Sequence, residues 1–268
     1  MKKTIKSESS IEFSRYAEHN PTANWQRFRD LNNGATYNAV KTQIFSDQGG
    51  LCAYCEVSLK EVIKNKRRLE HFHSKSDNSD PHKNWALTWS NIIGVCVGGS
   101  EKKQDDDSSS SDTTFPIPEN LSCDSYKAYL EEKGLLSKNI EGYVLNPLEI
   151  CNHSLFNYDI STGKLIPNKE KCLNFTPVKN NFNTSLELVE NTLFVFNLNC
   201  ERLTIRRKVI FNYYQKRIKE ARKKNDTTIF NRLAETTFRN KWPSFFTTRR
   251  IILGHAAELF LAQINYSG

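Results

Sequence analysis

The stretch that decides the fold begins with LCAYCE at residues 51–56 and continues through RLEHF at 68–72, SNIIGVC at 90–96 and CDSYK at 123–127. It contains four cysteines, Cys52, Cys55, Cys96 and Cys123. Four thiolates are the usual ligands of a closed tetrahedral zinc site, which stabilises a fold and does no chemistry. We therefore expect these four side chains to bind a structural Zn²⁺.

Two alternatives to this zinc site remain open at the level of sequence. A CxxC pair can be a redox pair, but that function favours a βαβ pattern, which is not visible around Cys52 and Cys55. The spacing between Cys96 and Cys123 is long and includes a polar run at 101–112, which predicts a disordered acidic and Ser-rich insertion at about 100–120. Three further cysteines are alternatives to Cys123 as the fourth ligand: Cys151, Cys172 and Cys200.

A second set of residues, nested between the cysteines, has the chemistry of phosphodiester hydrolysis. An imidazole titrates near neutrality, so His71 can take a proton from an attacking water. Mg²⁺ prefers a few carboxylate oxygens together with waters and substrate phosphate, and Glu70 with Asp124 supplies such a pair. We expect Asn91 to orient the catalytic loop.

The spacing of this second set raises a geometric difficulty. Side chains alternate along a strand, so Glu70 and His71 are expected on opposite faces of a regular strand. Both reach one metal only if the backbone twists or bulges there. The alternative is that both are simply strand residues without a catalytic role.

On these residues the chain resembles the HNH nuclease subunit of Septu antiphage systems (PtuB-like), relatives of which also accompany retrons. The resemblance is carried by LCAYCE at 51–56, LEHF at 69–72, Asn84-Trp85, NIIGVCVGG at 91–99, Cys123-Asp124 with Lys127, and LNP at 145–147. It covers residues 25–167 well and the C-terminal part only loosely. No single motif is specific, but the set is.

The resemblance implies a zinc-braced ββα-metal fold (the HNH or His-Me finger), nucleic-acid cleavage and a PtuA-like ATPase partner, with a retron reverse transcriptase and its msDNA as further partners. Matched by position, His71 is the general base, Asn91 the central asparagine, Asp124 the last metal ligand and Glu70 the acidic residue before the base. Ser74 stands where the family commonly has proline.

The whole chain has 268 residues and a net charge of +8, which favours a polyanionic partner such as DNA or RNA. Seven cysteines in a chain of this length do not indicate a disulfide framework. The start MKKTIK lacks the apolar core of a signal peptide, and no run reaches the roughly 18 apolar residues of a membrane span. We therefore expect a cytoplasmic protein with no membrane partner.

Three regions follow from these patterns: an N-terminal helical segment at 1–50, the nuclease core at 51–150, and a hairpin plus basic helical region at 151–268. Residues 200–250 contain 15 Lys or Arg against 4 Asp or Glu, a local charge of +11. The basic faces of these helices predict either a solvated surface or a nucleic-acid backbone site. We expect Arg206, Arg207, Lys208 and Lys127 to bind nucleic acid.

The sequence thus predicts an α+β metal-dependent HNH endonuclease with structural Zn²⁺ and catalytic Mg²⁺ or Mn²⁺. The rival from another class is a catalytically inactive, zinc-stabilised subunit that binds nucleic acid. Such a subunit has no need of Glu70, His71 and Asp124 together. DNA and RNA remain equally open as substrates.

Overall fold

The computed structural model describes residues 1–60, 66–100, 115–240 and 242–268, which form an α+β protein with two small antiparallel sheets. Of the disordered insertion expected at about 100–120, residues 101–114 lie outside the described residues, whereas residues 117–120 form a turn. The helices and strands of the described part are α1 (Ile11–His19), α2 (Trp25–Asp30), α3 (Ala35–Asp47), β1 (Arg67–His71), β2 (Ile92–Cys96), α4 (Cys123–Glu132), β3 (Phe156–Tyr158), β4 (Leu165–Pro167), α5 (Lys169–Leu173), α6 (Ser185–Val195), α7 (Glu201–Lys223), α8 (Ile229–Phe238), α9 (Phe246–Leu253) and α10 (His255–Gln263).

The N-terminal segment is helical in pieces, as the sequence predicts. The side chain of Ser10 caps α1 by accepting from the Phe13 amide, and Asn24 caps α2 in the same way. Such caps satisfy amides that have no partner inside the helix. Phe13, Trp25 and Phe28 pack together and form a small core under α3.

The central sheet pairs β1 with β2 in an uninterrupted antiparallel register from Arg67↔Cys96 to His71↔Ile92. Helix α3 covers one face of this sheet, where Phe45 lies against Gly94, and α4 packs on the sheet as well. A long loop at 72–91 joins the two strands and contains two short 3₁₀ turns, Trp85–Leu87 and Trp89–Asn91.

The C-terminal half contains the predicted hairpin, β3 with β4, and the predicted basic helices. One expectation there is wrong. The apolar spacing of Ile251, Ile252, Leu259 and Phe260 predicts one amphipathic helix with His255 in the core, but Gly254 adopts φ +53° and separates α9 from α10. His255 consequently begins α10 and is exposed. Within the described ranges, no helix is both long and apolar enough to cross a membrane.

Gly98 connects β2 to α4 in a backbone conformation that excludes other residues. Its φ is +62°, and a Cβ placed there would lie 2.1 Å from the carbonyl oxygen of Ser122. The Ser122 amide also donates to the Gly98 carbonyl at 2.8 Å. This close approach holds the start of α4, and hence Cys123, against the end of β2.

We predict that Gly98→Ala lowers the free energy of unfolding by more than about 2 kcal/mol, because the methyl group clashes with fixed backbone in addition to the left-handed strain. Gly134→Ala is the matched control, since Gly134 has a similar φ of +69° and no atom within 4 Å of the added Cβ. Left-handed strain alone should lower the free energy of unfolding of Gly134→Ala by roughly 1 kcal/mol. Urea denaturation of both variants measures the difference, and equal losses would contradict the prediction.

Candidate metal centre and active site

The four cysteines of the CxxC turn, β2 and α4 converge as predicted. The sulfurs of Cys52, Cys55, Cys96 and Cys123 are buried and all lie within 4.8 Å of one another. Three of the sulfur pairs are 3.7, 3.7 and 3.8 Å apart. Four sulfurs around zinc at the usual Zn–S distance of about 2.3 Å lie about 3.8 Å from one another. The cluster therefore fits a tetrahedral Zn²⁺, with Cys123 rather than another cysteine as the fourth ligand.

The ionisation of these thiols also indicates a cation site. Burial opposes ionisation of the Cys52 thiol, yet hydrogen bonds from the other three thiols lower its pKa well below the usual range. Burial and those same contacts raise the pKa of Cys123 well above it. One thiolate is thus easily formed, and each further one is resisted by the charge already present. Only a bound cation stabilises all four in the ionised form that binds metal.

A pair of carboxylates lies beside this cluster, formed by β1 and the first turn of α4. Glu70 of β1 faces Asp124 closely enough for the two side chains to share a hydrogen bond. Lys127, one turn after Asp124, donates to Glu70 Oε1 as an ion pair. Both partners of this pair are nearly buried, with side-chain exposures of 10% for Lys127 and 13% for Glu70.

Burial and the neighbouring charges shift the pKa values of Glu70 and Lys127. Burial raises the pKa of Glu70 to about 8; Lys127 opposes the rise, while the Asp124 carboxylate adds to it. Burial alone would lower the pKa of Lys127, but the Glu70 carboxylate more than compensates and raises it. Two crowded carboxylates therefore favour a positive charge between or beside them. This is the donor set that a hard divalent cation requires.

His71 lies on the opposite side of β1. It is buried, packs edge-on against Trp25 at 4.5 Å between ring centroids, and its Nε2 lies 3.1 Å from the Ala86 carbonyl. Since a carbonyl only accepts, the proton of the neutral ring resides on Nε2 and the lone pair on Nδ1. Burial lowers the pKa of His71 to about 4, so the ring is neutral at physiological pH.

The structure therefore brings together only part of the predicted catalytic set. Glu70 and Asp124 converge, but the register of β1 with β2 is regular through His71, with no bulge that turns its ring toward them. The geometric difficulty foreseen from strand alternation is present in the fold.

Asn91 holds the loop between the strands. Its Oδ1 accepts from the His73 amide at 2.6 Å, and its Nδ2 donates to the carbonyls of His73 and Trp85. Trp85 precedes Ala86, whose carbonyl orients the His71 ring. Asn91 thus fixes the backbone that positions His71, in agreement with an orienting role.

His73 is the centre of a polar cluster, with Asp77 and Glu141, that the sequence alone does not indicate. A histidine in a polar loop is predicted to be solvated, but His73 is buried and stacks on Trp85 at 3.6 Å between ring centroids. Its Nε2 lies 2.6 Å from Asp77, and its Nδ1 contacts Glu141 at 3.0 Å, too poorly aligned for a hydrogen bond. Because Glu141 lies far along the chain, no local pattern reveals this pairing.

The predicted nucleic-acid residues of α7 do not share one surface. Arg206 is exposed and Lys208 is half-buried, packed on the β3–β4 turn near Gly163. Arg207 is 1% exposed, with its guanidinium 5.7 Å from the Phe245 ring. The prediction that Arg207 binds nucleic acid from the surface is therefore wrong.

Tyr54, the residue before Cys55, is a further member of the site that sequence reasoning missed. It is fully buried, stacked on Phe196 at 3.8 Å between ring centroids. Burial raises the pKa of its hydroxyl well above the usual range, and the nearby Glu70 and Asp124 carboxylates raise it further. Tyr54 therefore lies near both the carboxylates and the cysteines.

We predict that the protein purifies with about one Zn²⁺ per chain and that Cys96→Ser loses it, because three thiolates leave the tetrahedral site incomplete. Loss of the metal should also lower the melting temperature. Cys172→Ser is the matched control, since Cys172 is buried but outside the cluster. Elemental analysis and thermal melts measure both effects, and equal zinc contents in the two variants would contradict the prediction.

The comparisons with known proteins agree with this geometry. No family model matches the chain. Over 241 residues, however, the chain is 35% identical to a curated Escherichia coli protein named "Retron Ec83 putative HNH endonuclease". The alignment covers 89% of this chain and 88% of that relative. Similarity of this degree along nearly the whole length of both proteins shows that the chain belongs to the HNH endonucleases.

Proposed function

We propose that this HNH endonuclease hydrolyses phosphodiester bonds of nucleic acid at Glu70, Asp124 and His71, with Mg²⁺ or Mn²⁺ as the catalytic ion. The observation that carries the proposal is the meeting of Glu70 and Asp124 beside the four-cysteine cluster. The four-cysteine cluster joins the start of α4 to the end of β2, so it holds Asp124 in place relative to Glu70.

The two carboxylates are the proposed ligands of the catalytic ion. A divalent cation bound there neutralises charge on the phosphate and on the leaving oxygen. Glu70 and Asp124 would hold it, and Lys127 would then lose its attraction to Glu70 and be available to a phosphate oxygen. This gives Lys127 the nucleic-acid contact proposed for it from the sequence.

His71 is the proposed general base, and its tautomer supports that role. The contact from Nε2 to the Ala86 carbonyl leaves the lone pair on Nδ1, and the low pKa keeps the ring in the neutral form. A pKa of about 4 also makes the ring a weak base in this structure, so the role requires surroundings in the substrate complex that raise it. His73 is a poorer choice, because both of its nitrogens face carboxylates. In this structure His71 is buried against Trp25 on the other side of β1, so the role requires a rearrangement of the strand end when substrate binds.

The substrate class follows from the chemistry rather than from any base-reading motif. Metal-bound carboxylates and basic side chains recognise the sugar-phosphate backbone, which DNA and RNA share. Arg206 and Lys208 remain proposed backbone contacts. A structured RNA such as a tRNA is included in this class.

We also propose that the protein is the effector of a bacterial antiphage system and works with a PtuA-like ATPase. The support is the name of its relative, which links that protein to a retron. A reverse transcriptase and its msDNA are then further proposed partners. The genes beside this one test the proposal, because an adjacent ATPase gene is its direct consequence.

We predict that His71→Ala reduces cleavage of plasmid DNA or tRNA by about 10²–10⁴-fold, the usual cost of losing a general base. The variant should keep its zinc and its affinity for nucleic acid. His82→Ala, which removes an exposed imidazole from the same loop, is the control and should cleave normally.

Two results would count against this assignment. If a folded, zinc-loaded His71→Ala protein cleaves at the wild-type rate, another residue must be the general base. A wild-type protein that binds nucleic acid but cleaves none with Mg²⁺ or Mn²⁺ would favour the inactive binding subunit instead.

We further predict that the Mg²⁺ concentration for half-maximal cleavage falls as pH rises toward 8. Glu70 has a pKa of about 8 without metal, so below that pH the ion must displace a proton to bind. As the pH is lowered from 8 to 6.5, the Mg²⁺ concentration for half-maximal cleavage should increase by up to about tenfold per pH unit. Above pH 8 it should be constant. Mg²⁺ titrations at fixed ionic strength measure it, and a requirement independent of pH would contradict Glu70 as a ligand.

A further inference from the structure

A long groove runs between α7 and α8, outside the residues assigned to cleavage. Its volume is about 710 Å³, and α7, α8 and α9 with their connections line it. The groove is open along α7, where Val209 and Tyr213 are 64% and 50% exposed. An aliphatic and an aromatic side chain are therefore both open to solvent in this groove, and exposed apolar surface rimmed by polar residues is one mark of a binding site.

The side chains of this groove combine positive charge with an accessible aromatic ring. Four cationic residues line it against two acidic ones: Arg217, Lys224, Arg232 and Arg249 against Glu220 and Asp226. The Arg217 guanidinium lies 5.3 Å from the Tyr213 ring, and its Nε donates to the Tyr213 hydroxyl at 3.2 Å. These contacts hold the ring in place while half of its surface remains open to solvent.

The inner wall of the groove is rigid. Tyr214 is fully buried, and its hydroxyl shares a hydrogen bond with Thr237 of α8 at 2.8 Å. Arg249 donates to the same hydroxyl at 3.1 Å and to the Ser244 carbonyl at 2.8 Å. The spacing of α7 and α8 is therefore fixed before any ligand arrives, which lowers the entropic cost of binding.

The start of α7 is attached to the candidate active site. Arg202 donates to the Ser122 hydroxyl at 2.8 Å, and Ser122 is the N-cap of the helix that carries Asp124. At 1.5 Å per residue, Tyr213 lies about 16 Å farther along the axis of α7. That length corresponds to about five nucleotides at a rise of 3.4 Å per nucleotide.

We propose that the α7–α8 groove binds a single strand of nucleic acid adjoining the cleaved bond, with Tyr213 stacked on a base and Arg217 and Lys224 at the backbone. The proposal rests on the nuclease function above and adds a second binding site to it. Stacking requires unpaired bases, so the site selects single-stranded over duplex segments. The positive charge of the groove and of α7 disfavours a second copy of this chain as the occupant.

The test uses the full chain with Asp124→Asn, which prevents cleavage, and fluorescein-labelled single strands of 20 nucleotides. Oligo-dT and oligo-rU are separate arms that distinguish DNA from RNA. Arg217→Glu with Lys224→Glu reverses two charges in the groove. Lys219→Glu with Lys223→Glu makes the same charge change on exposed residues of α7 outside the groove and is the matched control.

We expect the groove pair to weaken binding at least tenfold and the control pair no more than about threefold. Tyr213→Ala should weaken it roughly tenfold without any change in charge, and Tyr213→Phe should restore it, because the stacking surface returns. Shortening the strand to fewer than about five nucleotides, too short to reach from the candidate active site to Tyr213, should remove the difference between Tyr213→Ala and the parent protein.

Two results would overturn the proposal: equal weakening by the two charge reversals, or parental affinity of Tyr213→Ala. Cleavage by the protein with intact Asp124 is measured separately. If that protein cuts and the groove variants bind and cut as it does, the groove proposal fails and the nuclease function stands. If the strand binds in the groove but nothing is cut, the failure lies with the nuclease function.

Discussion

The convergence of four thiols is the constraint on which the rest of this structure depends. Cys52 and Cys55 come from a turn, Cys96 ends β2 and Cys123 begins α4, so one cluster joins three separate parts of the chain. The central sheet has two strands of five residues each, which is marginal by itself. A Zn²⁺ bound by this cluster would supply folding free energy directly and compensate for so small a sheet.

The same constraint explains where the functional side chains lie. Asp124 follows Cys123 of the cluster and Glu70 lies on the strand paired with β2, so both are positioned by the cluster rather than by a large core of their own. Asn91 performs the corresponding task for the long loop, with three hydrogen bonds to its backbone. Placement of reactive groups by rigid neighbours is what an active site requires.

Much of this arrangement could be predicted from sequence because its signals are local. Cysteine spacing, strand alternation and Gly134 after α4 each depend on a few neighbouring residues, and the corresponding elements are present. The burial of Arg207 was also readable, since it lies four residues after Leu203 and three before Ile210 on the same helical face. Its charge predicts exposure, whereas its helical phase predicts burial.

The remaining errors have long-range causes. His73 is buried because Glu141 and Trp85 meet around it, and this pairing has no signature in the loop itself. His255 is exposed because Gly254 adopts a left-handed conformation that splits a helix whose apolar spacing looked continuous. Tertiary contact and a single backbone dihedral thus override patterns that are correct locally.

The distribution of charge gives the molecule two unlike regions. The carboxylates of Glu70 and Asp124 are crowded and largely buried, so each strengthens the demand for a cation. The long helix α7 has its positive charges mainly on exposed positions, where they attract an anion over a distance set by salt. A nucleic-acid backbone satisfies the second region but repels the first unless a divalent ion lies between them. In the proposed function, binding and cleavage therefore have different ionic requirements, and the proposed catalytic cation would let the two regions act on one substrate.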